Sequence, residues 1–192
     1  SLDLEVVVNG TSYKPPLLTR WRWPEFKRLW IAEAAQEGAN EVEIIIRHAP
    51  WQDEPQTLTS APKLAGWFRL DGRTLRCPLG DGAPPAGLGS WADQGYPFFS
   101  GDGYYRCEVV MPDNWAGGSA ELELDRVVAT AEVLVNDESA GVRCWRPWRF
   151  EVGHLLRAGV NELVVRVSST PANLLESAAV EAGLLGGARL RW

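Results

Sequence analysis

Ala131-Glu-Val-Leu-Val-Asn-Asp137 and Gly159-Val-Asn-Glu-Leu-Val-Val165 bracket the stretch that decides the fold, with Trp145-Arg-Pro-Trp-Arg-Phe-Glu-Val152 between them. In the first phrase Val133 and Val135 fall on one face of an extended chain. In the last, Leu163, Val165 and Val167 do the same. A repeat of two is the signature of a strand with one buried face. The middle phrase predicts a short strand after a proline-containing turn.

Working outward, the same alternation recurs. Tyr105, Cys107 and Val109 share a face over 104–111, and Leu122 with Leu124 over 120–124. Residues 183–192 read as a closing strand. Before them, 63–70 predicts a strand turned at Asp71-Gly72 into 74–77, and the Gly- and Pro-rich stretch 78–103 predicts loop. Nearer the start, Leu2, Leu4, Val6 and Val8 alternate with polar residues up to the turn dipeptide Asn9-Gly10. Residues 31–37 predict one or two helical turns ending at Gly38, and 41–47 a second strand. Residues 48–62 read as a linker or long loop. Many short strands at this spacing predict an all-β sandwich or barrel.

A weak internal repeat is also present. Val6-Val-Val-Asn-Gly10 parallels Val133-Leu-Val-Asn-Asp137, and Gly38-Ala-Asn-Glu-Val-Glu-Ile44 parallels Gly159-Val-Asn-Glu-Leu-Val-Val165. The second copy has two further strands ahead of it, at 104–111 and 120–124. The first copy therefore reads as a partial unit whose strand edge needs covering by another strand or chain. The expected organisation is a partial β unit or extension over 1–62 and a sandwich over 63–192.

Composition narrows the classes. The 192 residues are 45% hydrophobic and 23% charged, which is a globular balance. Nineteen Lys and Arg against 25 Asp and Glu leave a net charge of −6, so nucleic acid is not an expected partner. Apolar runs are far shorter than the about 20 residues of a membrane helix, and no membrane partner is expected. Ser1-Leu2-Asp3 reads as a trimmed or processed start, and the compartment stays open. Cys77, Cys107 and Cys144 are too few and too scattered for a disulfide framework or thiolate zinc site, and read as small apolar residues, with a single disulfide as the alternative. The ten Trp are the unusual number. Indole faces stack on the apolar faces of sugars, and they also anchor cores.

The run Val133-Leu-Val-Asn-Asp137, Gly141-Val142, Trp145 to Phe150 and Gly159-Val-Asn161 resembles the galactose-binding-like jelly roll of family 2 glycoside hydrolases. Further phrases resemble the C-terminal β-sandwich of alpha-L-rhamnosidase-like hydrolases. They are Leu64-Ala-Gly-Trp-Phe-Arg-Leu70, Gly89-Ser-Trp-Ala-Asp-Gln-Gly-Tyr-Pro-Phe-Phe-Ser-Gly101, and 177–190 with Gly183-Leu-Leu-Gly186. The resemblance covers 63–192 well and 1–62 loosely. It implies a jelly-roll sandwich and a parent hydrolase whose catalytic domain is a partner. Family members often carry Gly where Asp137 stands; Asp also tolerates such a turn.

Sugar binding needs an aromatic platform with planar polar groups at its rim. Two segments supply both: Trp91, Asp93, Gln94 and Tyr96 (with Phe99), and Arg143, Trp145 and Arg146 (with Trp148). Trp148 and Phe150 also fit the core, and Trp91 and Trp145 also fit a domain interface or the core. Trp21 and Trp23 read as the equivalent loop of the first unit. Glu121, Glu123 and Glu132 alternate with apolar residues as on a solvated face. His48 and His154 stand in no nucleophile or metal motif. No cofactor is expected; Asp113, Asn114 and Asp125 offer loop oxygens for a structural calcium, without defined ligand spacing. The expected function is a non-catalytic accessory sandwich of a glycoside hydrolase that binds carbohydrate or shapes a substrate cleft. The alternatives are a purely structural interdomain module and, last, a stand-alone glycosidase.

Overall fold

The computed structural model describes residues 3–14, 29–47, 64, 66, 68–76, 86–176 and 178–192. Trp21, Trp23, His48, Trp67, Cys77, the whole 48–62 stretch and Ser177 lie outside the described residues. The chain divides into two units, Ser1–Leu64 and Ala65–Trp192. The described elements are strands and turns apart from one four-residue helix, so the chain is all-β.

The first unit holds β1 (Asp3–Val8), β2 (Thr11–Tyr13) and β3 (Val42–Arg47) in one antiparallel sheet of order β2-β1-β3. The Asn9-Gly10 turn sets it: both residues take positive φ, 49° and 83°, the hairpin geometry that suits twisted strands. The expected helix over 31–37 is a single turn, in which Ala34 N and Ala35 N both donate to Ile31 O. On one face Glu5 accepts from Ser12 and from Arg47. These two partners hold its carboxyl below the usual range, the serine hydroxyl first.

The second unit begins with a hairpin of β4 (Arg69–Asp71) and β5 (Thr74–Arg76), followed by a 3₁₀ turn at Ala92–Gln94. Then come β6 (Asp102–Met111), β7 (Glu121–Leu124), β8 (Val127–Val128), β9 (Thr130–Val135), β10 (Glu138–Arg143), β11 (Arg149–Glu151), β12 (Gly159–Ser168), α1 (Ala172–Leu175), β13 (Gly183–Leu184) and β14 (Ala188–Arg191). Two sheets dominate, of order β10-β9-β12-β6 and β11-β7-β14, with β13 and β8 as a short pair. One continuous core joins them. Ala131, Val133 and Val135 of β9 and Leu163, Val165 and Val167 of β12 come from the first sheet, and Leu122, Leu124 and Phe150 from the second. Burying each such side chain contributes about 1.5–3 kcal/mol, and this shared core makes the unit a sandwich.

Several elements depart from the sequence reading: β2, β8 and α1 were not expected, and the closing strand over 183–192 divides into β13 and β14. The 63–70 strand shortens to β4. Strand β10 was not legible, because its pairing with β9 shifts register between Ser139 and Gly141. A bulge inserts one residue and breaks the period of two on which a strand is recognised.

An asparagine pair, Asn161 buried and Asn136 half-buried, ties the β9–β10 turn to the turn that opens β12. Asn136 Nδ2 donates to Leu155 O (3.2 Å) and Asn161 Oδ1 (2.9 Å), while Asn136 Oδ1 accepts from Glu162 N (3.2 Å). Asn161 Oδ1 also accepts from Arg157 N (2.9 Å), and its Nδ2 donates to Arg157 O (2.8 Å) and Gly159 O (3.0 Å). The first unit repeats the pattern with Asn9 and Asn40. Asn9 Nδ2 donates to Ala34 O (2.7 Å) and Asn40 Oδ1 (2.8 Å), and Asn9 Oδ1 accepts from Glu41 N (2.9 Å). Asn40 Oδ1 accepts from Gln36 N (2.8 Å), and its Nδ2 donates to Gln36 O (2.9 Å) and Gly38 O (3.1 Å).

Candidate functional site

The connection from β10 to β11 runs from the edge of one sheet to the edge of the other. Its path is fixed at both ends. Arg143 Nε donates to Arg149 O (3.0 Å), and Leu124 N donates to Trp148 O (2.9 Å). The Arg143 guanidinium also lies 5.9 Å from the Phe150 ring centroid, a cation–π distance. Trp148 and Phe150 are buried in the core, as their alternation with Arg149 requires. Trp148 Nε1 has no acceptor among the described residues. Trp145 points the other way and is 75% exposed. Cys144 and Arg146 beside it are exposed as well.

The 91–96 segment is built differently. Trp91 is only 3% exposed and belongs to the core, which corrects its reading as a sugar platform. Two glycines make its slot: a Cβ on Gly103 would lie 2.3 Å from the indole, and one on Gly183 2.6 Å from its Nε1. Trp91 Nε1 donates to Tyr105 Oη (2.7 Å), which also accepts from Leu184 N (3.0 Å). Phe99 meets the indole edge-on, with centroids 5.4 Å apart. Gln94 is occupied by backbone: its Oε1 accepts from Gly87 N (2.7 Å) and its Nε2 donates to Ser90 O (3.2 Å). Tyr96 packs half-buried against the core, and Asp93 is exposed.

The structure does not bring the two candidate segments together. Trp91 packs on Gly103 of β6, and Arg143 lies on β10. These are opposite edges of a four-stranded sheet, so three strand spacings, roughly 14 Å, separate them. Arg143, Trp145 and Arg146 are all exposed and lie within four residues of one another in sequence.

The acidic residues sit among arginines on the outer sheet faces. Asp102 accepts from Arg166 Nη2 (2.8 Å) and Ser168 Oγ (2.5 Å), and Arg166 Nη1 also reaches Glu132 (3.2 Å). The Ser168 hydroxyl, then the guanidinium, holds the Asp102 carboxyl below its ordinary value despite some desolvation. Arg149 lies between Glu121 (3.7 Å) and Glu123 (3.3 Å). Glu108 and Glu162 are direct neighbours across β6 and β12, and Arg106 stands 3.6 Å from Glu162. They line a shallow depression with Arg106 and Cys107 on the β6–β12 pair.

Cys107 and Cys144 are free and exposed rather than packed as apolar residues. Partial desolvation still pushes the Cys107 thiol up. Among the described residues, no cluster of three His, Cys, Asp or Glu side chains is placed to hold a metal. Asp125 spends its oxygens on Arg189 (3.0 Å) and Gly187 N (3.1 Å). No helix among the described residues is long and apolar enough to cross a membrane. Tyr104 is an exposed aromatic that sequence reasoning passed over. It pairs across strands with Arg166, and the alternation that turns Tyr105 inward was the signal for it.

No family model matches the chain, and no curated protein does. Several solved structures of glycoside hydrolases resemble it in part. A rhamnosidase from Novosphingobium sp. PP1Y aligns over 98% of this chain and 20% of its own, at 20% identity and a TM-score of 0.47. A Bifidobacterium dentium beta-glucuronidase aligns over 48% of this chain and 16% of its own, at 29% identity and a TM-score of 0.40. A beta-glycosidase from Bacteroides vulgatus aligns over 48% of this chain and 12% of its own, at 19% identity and a TM-score of 0.39. The chain therefore spans a fifth or less of the length of each.

Proposed function

We propose that this chain is a non-catalytic accessory β-sandwich of a glycoside hydrolase of alpha-L-rhamnosidase-like type, binding carbohydrate at the β10–β11 connection beside a catalytic domain of the parent protein. One observation carries the reading. Trp145 is 75% exposed on a connection whose other aromatic ring, Trp148, is buried. Its flat apolar face, with the Arg143 and Arg146 guanidiniums next to it in sequence, suits a pyranose: the ring stacks and the arginines donate to hydroxyls. The family-like phrases over 63–192 support the parent class. The open setting of Glu108 and Glu162 supports a non-catalytic role.

A second reading has its own observation. Two concavities among the described residues lie elsewhere, and Trp145 lines neither. A flat aromatic surface suits contact with another domain. Titration of the chain with L-rhamnose, galactose and uronic-acid oligosaccharides, after a glycan-array screen, separates the two. Saturable binding is expected, weakened at least 10-fold in Trp145→Ala, or about 1.4 kcal/mol. No binding at millimolar sugar by the folded wild-type chain would sink the carbohydrate reading and leave the interdomain one.

A further inference from the structure

Asn9 and Asn136 hold equivalent turns with equivalent bonds, but the residue that follows each is different. Both side chains donate through Nδ2 to a backbone carbonyl and to the Oδ1 of a second asparagine, and both accept through Oδ1 from a backbone N–H. Their own backbone N–H groups donate alike, Asn9 N to Glu41 O (3.0 Å) and Asn136 N to Glu162 O (2.9 Å). After Asn136 stands Asp137. After Asn9 stands Gly10, which is exposed and has nothing within 4 Å of the place a Cβ would take. Of the six asparagines in the chain, only Asn9 precedes glycine.

That difference is chemical. The backbone nitrogen after an asparagine can attack the carbonyl carbon of its side-chain amide. A side chain on the following residue crowds the approach, and a carboxylate there also opposes loss of the N–H proton. Glycine, with no Cβ, does neither.

We propose that Asn9 is a site of spontaneous deamidation, and that the reaction undoes the network holding its turn. Gly10 N gives up its proton and bonds to Asn9 Cγ. The Cγ–Nδ2 bond breaks, and Nδ2 leaves with that proton as ammonia. Water, the co-reactant, then opens the five-membered imide at either carbonyl. One product is aspartate. The other is isoaspartate, in which the main chain runs through the side-chain carbons. Nothing is oxidised or reduced.

The product cannot do what Asn9 does. Nδ2 donates to Ala34 O (2.7 Å) and Asn40 Oδ1 (2.8 Å). An oxygen in its place sets negative charge against two acceptors. Asn40 cannot turn its amide over in compensation, because its Oδ1 serves Gln36 N and its Nδ2 serves Gln36 O and Gly38 O. Isoaspartate also lengthens the backbone of the turn that sets Val8 opposite Thr11. The same three bonds restrain the intact side chain, so attack on Cγ waits for the turn to open, and opening is set by local enclosure. The network guards Asn9 while it is closed and does not re-form after the reaction.

The test holds the whole chain at mildly alkaline pH and follows the peptides bearing Asn9 and Asn136 by mass spectrometry, with aspartate and isoaspartate forms separated. Asn9 should convert at least 10-fold faster than Asn136 in the same sample. Gly10→Asp, which copies the second unit's turn, should slow that conversion at least 10-fold. Asn40→Ala frees Nδ2 of one partner and leaves the Asn9-Gly10 pair intact; it should speed conversion at least 3-fold in the folded chain and not at all in urea. Asn9→Asp should raise amide exchange at Gln36 and Glu41 at least 10-fold, with β12 unchanged. Equal conversion at Asn9 and Asn136, or a rate unmoved by Gly10→Asp, would overturn the site. A folded-state rate unmoved by Asn40→Ala would overturn the guarding role of the network, and unchanged exchange in Asn9→Asp would overturn its loss on reaction.

Discussion

Asn136 holds the β9–β10 turn against the start of β12. It sits in left-handed backbone at φ 52° and makes three hydrogen bonds, to Leu155 in the turn before β12 and to Asn161 and Glu162 within it. Alanine there loses all three and is disfavoured at that φ. Asn136→Ala should cost about 2–4 kcal/mol, read as a lower denaturant midpoint, whereas Asn9→Ala, in an exposed copy of the network, should cost about 1 kcal/mol. Asp102 gives a pH signature. Its folded carboxyl titrates below the unfolded value of about 3.9. Its stabilisation is therefore present above that value and is lost as pH falls through the folded one. Between pH 6 and pH 2, wild-type stability should decline more steeply than that of Asp102→Asn, with the two converging at the acid end. Parallel curves would show that the Ser168 and Arg166 contacts do not bias the titration.

At the scale of elements, the β9–β10 hairpin has a correctable flaw. Both turn residues, Asn136 and Asp137, take positive φ, and the equivalent turn in the first unit places Gly10 at the second position. A side chain in that conformation costs about 1 kcal/mol relative to glycine. Asp137→Gly should therefore raise the stability of the second unit by about 0.5–1 kcal/mol, checked by chemical denaturation. The β10–β11 connection matters differently. Burial of Trp148 and Phe150 fixes its course, and Trp145 is exposed because it falls outside their alternation. That is why Trp145→Ala can test binding without disturbing the core.

For the whole molecule, the two units differ in how completely they enclose apolar surface. Among the described residues of the first unit, Val8 alone is a buried hydrophobic side chain, while the second unit holds a continuous core drawn from two sheets. Local opening free energy follows buried contact. Amides of β1 and β3 should exchange at least 100-fold faster than those of β9 and β12, and unfolding should proceed in two steps with the first unit leading. A single cooperative transition with uniform protection would contradict this.

The sequence alone determined the strand-rich class, because a period of two in Val133 and Val135 or in Leu163, Val165 and Val167 follows from backbone geometry and needs no partner. It also determined the Asn9-Gly10 and Asn136-Asp137 turns and the repeat, since turn chemistry is local. It offered the core as one reading of Trp148 and Phe150, since aromatic side chains serve packing first. Tertiary structure decided what depends on distant residues. Trp91 is buried because Gly103 and Gly183, far apart in the chain, open a slot for its ring. Strand β10 was hidden by its bulge. The two aromatic segments looked alike in composition, yet strand order sets them on opposite edges of one sheet. Exposure is a property of what packs over a residue, and no local spacing encodes that.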